Sequence, residues 1–145
     1  PQNIQGKVLD FGCGAGVIAS YVGIKHPKIE LQLADVSALA LASSEETLSL
    51  NHLKGKTIAT NSLSHITERY DGVLSNPPFH QGIKTHYLAT ETFLAGIKKQ
   101  LNRGGMLTVV ANSFLKYQPI MEANIGKTQK TCVKQGFTVY QVSNN

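Results

Sequence analysis

Apolar positions along the chain fall into short runs punctuated by glycine, proline and acids. Lys7-Val8-Leu9-Asp10-Phe11 is a short apolar run that ends in Gly12-Cys13-Gly14-Ala15-Gly16. Residues 17–24 behind it have helical length and repeat. His26-Pro27 closes that helix, because a residue before proline is driven out of the helical region. Residues 29–35 alternate apolar and polar and end in an acid, the pattern of a strand. Residues 37–51 predict a helix with Leu39, Ala42, Leu48 and Leu50 as its apolar positions. Lys54-Gly55-Lys56 breaks the chain before a short strand at 57–60, and 63–69 predict a short helical turn.

The second half continues the alternation. Residues 70–75 read as a buried strand of a parallel sheet, stopped by Asn76-Pro77-Pro78-Phe79. Residues 85–101 predict a long amphipathic helix with Leu88, Thr92, Ala95 and Leu101 near one face. It is expected to close at Asn102-Arg103-Gly104-Gly105, a glycine-rich helix stop. Residues 106–112 are almost wholly apolar and predict a central strand. Residues 117–122 predict a short helix with Pro119 in its first turn. Two β-rich segments, 128–133 and 137–142, are joined by a Lys134-Gln135-Gly136 hairpin. Five strands alternating with helices define an α/β, Rossmann-like doubly wound sheet, mostly parallel, with an antiparallel strand from the C-terminal hairpin. No repeat, linker or low-complexity stretch divides the chain, so residues 1–145 are expected to be a single domain.

Composition narrows the class more than the chemistry. At 145 residues, with 41% hydrophobic and 16% charged positions, the chain is long enough to bury a real core. No apolar run approaches the ~18 residues of a membrane span. The first residues carry neither a basic region nor an apolar one, so no secretory signal is expected. Position 1 is not Met and a strand begins almost at once, which leads to the expectation of a domain cut from a longer protein. Cys13 and Cys132 lie far apart without a CxxC pair or a His at metal spacing. A cytosolic, reduced chain without a structural metal follows. The formal charge of +5 favours an anionic partner such as nucleic acid without establishing one. After Ser113, Lys116, Lys127, Lys130 and Lys134 stand against Glu122. An RNA footprint and lysines kept for solubility account for that tail equally well.

Candidate chemistry gathers at the C-terminal ends of the strands, where open α/β sheets bind ligands. Two prolines have no N–H for a ladder, so the strand stops at Asn76 and the peptide stiffens. An amide and rigid carbonyls there suit hydrogen bonds accepted from an amine, with Phe79 as an aromatic wall. Gly12, Gly14 and Gly16 permit a tight turn and close backbone approach, and the helix N-terminus adds positive potential. Position 17 is Val17, so the dinucleotide fingerprint is not met, and no Gly-Lys-Ser/Thr of a nucleoside triphosphatase loop is present. Asp35 lies about 20 residues beyond the turn, where a ribose-binding carboxylate belongs. Its rival role is a helix N-cap, for which Ser37 is at least as good. Asn61 offers an amide to an adenine amine or serves as a plain turn residue.

Asp10-Phe11-Gly12-Cys13-Gly14-Ala15-Gly16, Asp35 and Asn76-Pro77-Pro78-Phe79, in this order, resemble the class I S-adenosylmethionine-dependent methyltransferases. That family's sheet has seven strands with the last antiparallel. More narrowly, Asn76-Pro77-Pro78-Phe79-His80-Gln81-Gly82 and Val110-Ala111-Asn112-Ser113-Phe114-Leu115 look like the ribosomal RNA small subunit methyltransferase C family. The resemblance implies methyl transfer from S-adenosylmethionine to a guanine N2 amine of 16S rRNA in the small subunit. It also implies an N-terminal copy of the fold outside this chain. Asp10, Gly12, Gly14 and Gly16 would hold the amino acid portion of the cofactor, Asp35 its ribose, and Val36 and Asn61 its adenine. Asn76, bordering the cofactor, and the Pro77 carbonyl before Pro78 would accept from the target amine, with Phe79 stacking on the base.

Rival readings stay open at this point. His80 contacts RNA or is a loop residue without chemistry, and Lys116 and Tyr117 line an RNA channel or fill surface. Cys13 as a covalent nucleophile is weighed against a small packing residue in the glycine turn, and the packing role suits its place. An adenine N6 methyltransferase and a protein glutamine methyltransferase share the acceptor logic. A non-catalytic cofactor- or RNA-binding module is the rival from a different class.

Overall fold

The computed structural model describes residues 6–12, 16–60, 63–76, 91–112 and 117–145. β1 (Gly6–Phe11), β2 (Ile29–Asp35), β3 (Gly55–Ala59), β4 (Tyr70–Ser75), β5 (Leu101–Asn112), β6 (Thr128–Lys134) and β7 (Phe137–Ser143) form one sheet. Its order is β3-β2-β1-β4-β5-β7-β6. β1 pairs in parallel with β2 and with β4, β2 with β3, and β4 with β5. β7 enters antiparallel between β5 and β6. The doubly wound, mostly parallel sheet with an antiparallel hairpin strand is therefore as expected. No helix among the described residues is long and apolar enough to cross a membrane.

Alternation along each strand divides the core between two faces. Val8 of β1 joins Leu31 and Leu33 under the helices α1 (Val17–Lys25) and α2 (Ala38–Leu50). Leu9 joins Val73, Leu107 and Val109 on the other face. That face is covered by α3, helical over residues 91–96, and α4 (Gln118–Asn124). Ser37 caps α2, its hydroxyl accepting from Ala40 N at 3.1 Å. The hairpin turn places Gln135 and Gly136 both at positive φ, 51° and 84°, which suits the twist of the flanking strands.

Three expectations from the apolar pattern need correction. In α2 the buried residues are Leu41, Ser44 and Leu48, while Ala42 is exposed and Leu39 and Leu50 are more than 70% exposed. The packed face is decided by Gly16, whose α-carbon approaches so closely that an added Cβ would lie 3.0 Å from Ser44 Cα. In the 85–101 helix, residues 85–90 lie outside the described residues, Thr92 and Ala95 face solvent, and Phe93, Leu94 and Ile97 are buried. It tightens into a 3-10 turn at Ile97–Gln100 and ends there. Asn102-Arg103-Gly104-Gly105 is not a helix stop but an irregular start of β5, opposite a register shift between Tyr70 and Gly72. Gly105 sits where a Cβ would meet Tyr70 O at 2.9 Å, so the strand can pass this point only with glycine. Tyr117, expected at an RNA channel or on the surface, is fully buried in the core beside Met121. As the residue that leads into α4, it points inward to anchor that helix.

A polar network crosses the sheet beneath this core. The Tyr70 hydroxyl donates to Gln32 Oε1 at 2.6 Å, and Gln32 Nε2 donates to Glu68 Oε2 at 2.8 Å. Glu68 in turn pairs with Lys7 and Lys56. Burial first, and the nearby Glu68 charge second, push the Tyr70 hydroxyl up to about 12, so it is a donor at all ordinary pH. Tyr70→Phe strands the carbonyl of a buried glutamine and should cost about 1–3 kcal/mol in urea unfolding. Tyr70→Phe combined with Gln32→Leu should recover part of that loss, since both partners are then apolar.

Candidate functional site

The site is built where β1 and β4 end side by side, with Phe11 paired to Ser75. On one side the chain turns through Gly12 at φ 78° and re-enters α1 from Gly16, also at φ 78°. Such a conformation strains any residue with a Cβ, and the two glycines use it differently. A Cβ at Gly12 would meet nothing within 4 Å among the described residues, so none of them packs against that backbone. Gly16 is required by packing on Ser44 as well as by its backbone. Gly12 N donates to Ala34 O at 2.8 Å, which fastens the turn to the end of β2.

Asp10 is the unusual group of this corner. It is 3% exposed, and its Oδ2 has no hydrogen-bond partner among the described residues. Burial, and behind it the charge of Asp35, push its carboxyl from an ordinary 3.8 to about 7. A buried carboxylate oxygen without a partner is costly, so, as far as the described residues go, Asp10 suits a cationic or donor-bearing ligand. Asp35 closes β2. Its Oδ1 accepts from Ser37 N at 2.9 Å and its carbonyl from Thr60 N at 3.0 Å. The first of these bonds rigidifies the loop that carries Val36, which is 71% exposed beside the turn. The capping role goes to Ser37 and leaves Asp35 at the strand end.

Asn76 is exposed directly after β4. β1 and β4 thus bring Asp10, Gly12 and Asn76 to one sheet edge, and β2 adds Asp35 and Val36. Cys13, Gly14, Asn61, Pro77, Pro78, Phe79, His80 and Lys116 lie outside the described residues. Two supports escaped the sequence reading. Thr60, buried at the end of β3, bonds His65 Nδ1 through its hydroxyl at 2.7 Å, bridging the segment that contains Asn61. Phe93 stacks on Phe11 with ring centroids 4.8 Å apart, holding α3 beneath the end of β1. Phe93-Leu94 followed by Ile97 is the sequence signal for that face, whereas Thr92 and Ala95 have less volume to bury.

A glycine turn, a buried acid whose Oδ2 has no partner among the described residues, a second acid after β2 and an amide after β4 meet at the switch point of an α/β sheet, where such folds bind ligands. Residues 1–141 match the family model of the methyltransferase small domain, and the chain belongs to that family. It is 58% identical over 141 residues to the ribosomal RNA small subunit methyltransferase C of Colwellia psychrerythraea, covering 97% of this chain and 40% of that protein. The corresponding protein of Pseudoalteromonas translucida is 49% identical over 136 residues, covering 94% and 40%. This chain spans about 40% of the length of these curated relatives. Among solved structures, the T. thermophilus 16S rRNA N2 methyltransferase RsmC, in complex with AdoMet and guanosine, superposes with a TM-score of 0.83. It is 25% identical, and the match covers 96% of this chain and 37% of that one.

The buried Asp10 carboxylate sets a pH dependence for the ligand-free chain. Its folded value lies above the unfolded one, so stability is greatest below about 4 as far as this group is concerned and falls as pH rises toward 7. The difference between 3.8 and about 7 corresponds to roughly 4 kcal/mol against the ionised form. Asp10→Asn should therefore unfold at higher urea concentration than wild type at pH 8 and at nearly the same concentration at pH 4. Equal midpoints at pH 8 would refute the description of Asp10 as a carboxyl whose ionised form is disfavoured by burial.

Proposed function

We propose that this chain is a methyltransferase domain that binds S-adenosylmethionine and modifies the N2 amine of a guanine in 16S rRNA. The observation that carries the reading is the meeting of Asp10, Gly12 and Asn76 at the paired ends of β1 and β4. The residues present fit the cofactor. Asp10, whose Oδ2 has no partner among the described residues, suits its ammonium group, Gly12, against which no described residue packs, suits its amino acid portion, and Asp35 suits its ribose hydroxyls. Gly14, Gly16, Val36 and Asn61 complete that assignment by resemblance. When bound, the cofactor supplies an electrophilic sulfonium methyl group.

The chain's own contribution is to prepare the amine. An exocyclic guanine amine is a poor nucleophile because its lone pair is delocalised into the ring. The Asn76 amide oxygen and the Pro77 carbonyl, both acceptors, draw the amine hydrogens out of the ring plane and localise the lone pair on nitrogen. These bonds strengthen as positive charge develops, so they favour the transition state over the planar ground state. Asn76 is neutral, and no strong base is needed, since the proton becomes acidic only once nitrogen carries the new bond. Positioning of two reactants in one crevice supplies much of the remaining acceleration. Drawing the base out of a stack costs a few kcal/mol, and stacking on Phe79 returns roughly 1–3 kcal/mol. Pro78, whose ring fixes its own φ, is assigned to the same motif by resemblance. His80 and Lys116 remain candidates for RNA contact, whereas the buried Tyr117 is withdrawn from that set.

The relatives are about two and a half times as long as the stretch this chain matches. We place the chain as one domain of such a cytoplasmic enzyme, with the small ribosomal subunit or its rRNA as partner. Asn76→Ala should lower transfer by roughly 10²-fold or more, the scale of losing one preorganised transition-state contact. Its affinity for S-adenosylmethionine by calorimetry should stay close to wild type. Mass spectrometry of nucleosides from 30S subunits incubated with labelled cofactor should show N2-methylguanine. N6-methyladenine, methylglutamine, or full activity of Asn76→Ala would overturn the reading.

A further inference from the structure

The cations of this chain are segregated. β1 to β5 are parallel, and β6 shares their direction because both it and β5 are antiparallel to β7. Their first residues therefore lie along one edge of the sheet, opposite the edge that carries Asp10 and Asn76. Lys25 and Lys28 flank the start of β2, Lys54 and Lys56 that of β3, and Arg69 that of β4. Lys98, Lys99 and Arg103 surround the start of β5, Lys127 precedes β6 and Lys7 lies in β1. All are exposed except the half-buried Lys7.

This one edge holds ten of the 14 Lys and Arg against three of the nine acids, Glu30, Glu68 and Asp71, an excess of seven. The other four cations and six acids leave the rest of the chain at minus two, so the net +5 conceals a polarised molecule. Two of the three edge acids already have partners. Glu68 pairs with Lys7 and Lys56, and Asp71 accepts from Lys7 N and Asn102 Nδ2. Between them opens a cleft of about 610 Å³ lined by Lys7, Lys28, Glu30, Glu68, Arg69 and Asp71, with no aromatic side chain among its lining residues.

We propose that this basic edge is a docking surface for an RNA phosphate backbone, separate from the crevice where the base is modified. The proposal rests on the rRNA reading above. Strands about 4.8 Å apart put neighbouring cations within the ~8 Å Debye length of physiological salt, so their fields add. Seven strands give an edge about 29 Å long, enough for several consecutive phosphates. Lys25 lies over the Tyr21 ring at 5.7 Å, but the cations that line the cleft have no aromatic side chain beside them in its lining, which suits holding a backbone in position rather than reading bases. The crevice and the basic edge are about 20 Å apart, the length of six strand residues. One RNA can reach both only if it is folded or long, which selects a structured rRNA region over a short strand.

The test uses the chain with Lys98→Glu, Lys99→Glu and Arg103→Glu together, all on the surface. The probes are a fluorescein-labelled 16S rRNA hairpin, labelled polyglutamate, and an unlabelled guanine-containing trinucleotide. Hairpin affinity at 50 mM salt should fall tenfold or more, and the slope of log K against log salt should shrink by about 2–3. Thermal unfolding, S-adenosylmethionine affinity and methylation of the trinucleotide, too short to span both edges, should match wild type. Adding Glu46→Lys and Glu122→Lys restores most of the net charge elsewhere on the molecule and should not restore hairpin binding; restoration would overturn the proposal. Unchanged hairpin affinity and slope would overturn it while wild-type methylation of 30S subunits left the catalytic reading standing. Tight polyglutamate binding without hairpin binding would also overturn it, as a surface for acidic protein. Hairpin binding lost in the variant, in a chain that methylates no RNA, would support the docking edge and sink the catalytic reading instead.

Discussion

The parallel ladder between β1 and β4, with Phe11 opposite Ser75, places the loops that follow the two strands side by side. From β1 the chain proceeds to β2 and β3 on one side, and after β3 it returns to β4 on the other. The connections leaving β1 and β4 therefore diverge to opposite faces and leave a crevice between them. Each support found at the site serves this junction. The Gly12–Ala34 bond holds one wall to β2, and the Phe11–Phe93 stack holds α3 against the base of the other. A slip of one residue in this ladder would move Asn76 away from Asp10 and turn every β1 side chain to the wrong face.

Within that crevice, affinity and stability oppose each other. Asp10 is kept in an apolar, acid-flanked position at a cost to the empty fold, because its charge is more favourable in water than where it sits. A ligand that brings a donor or positive charge restores what burial took away, so binding and folding become linked. Gly12 is similar in that none of the described residues packs against its backbone. Sites of this kind sit below the stability optimum, and substitutions that repair them tend to remove function.

Charge is arranged on a larger scale by the same topology. Parallel strands send all their starts to one edge, so cations that are scattered in sequence from Lys7 to Lys127 become neighbours. The ligand crevice occupies the opposite edge, where Asp10 and Asp35 sit. The fold therefore sets its acid-flanked crevice and its densest group of cations at opposite edges of the sheet.

Much of this was legible in the residues themselves. The bounds of β2 and β4, the stop at Asn76, the Ser37 cap and the Gln135-Gly136 turn all follow from local rules, because prolines, glycines and caps act through their own backbone. The glycine turn, Asp35 and Asn76 were also visible as candidates, since strand ends can be read from an apolar run and its breaker. What could not be read was decided by approach between distant segments. Leu39 and Leu50 belong to a helix pattern, yet Gly16 packing on Ser44 turns Leu41 inward instead. Thr92 and Ala95 lost their place to Phe93 and Leu94 because Phe11 was there to meet a ring. Gly104-Gly105 reads as a helix stop until Tyr70 is seen to demand a glycine beside it. The burial of Asp10 and the clustering of the cations likewise depend on which strands lie adjacent. Local sequence sets the conformation of each segment, whereas burial and charge density are properties of neighbours, and only the tertiary structure names the neighbours.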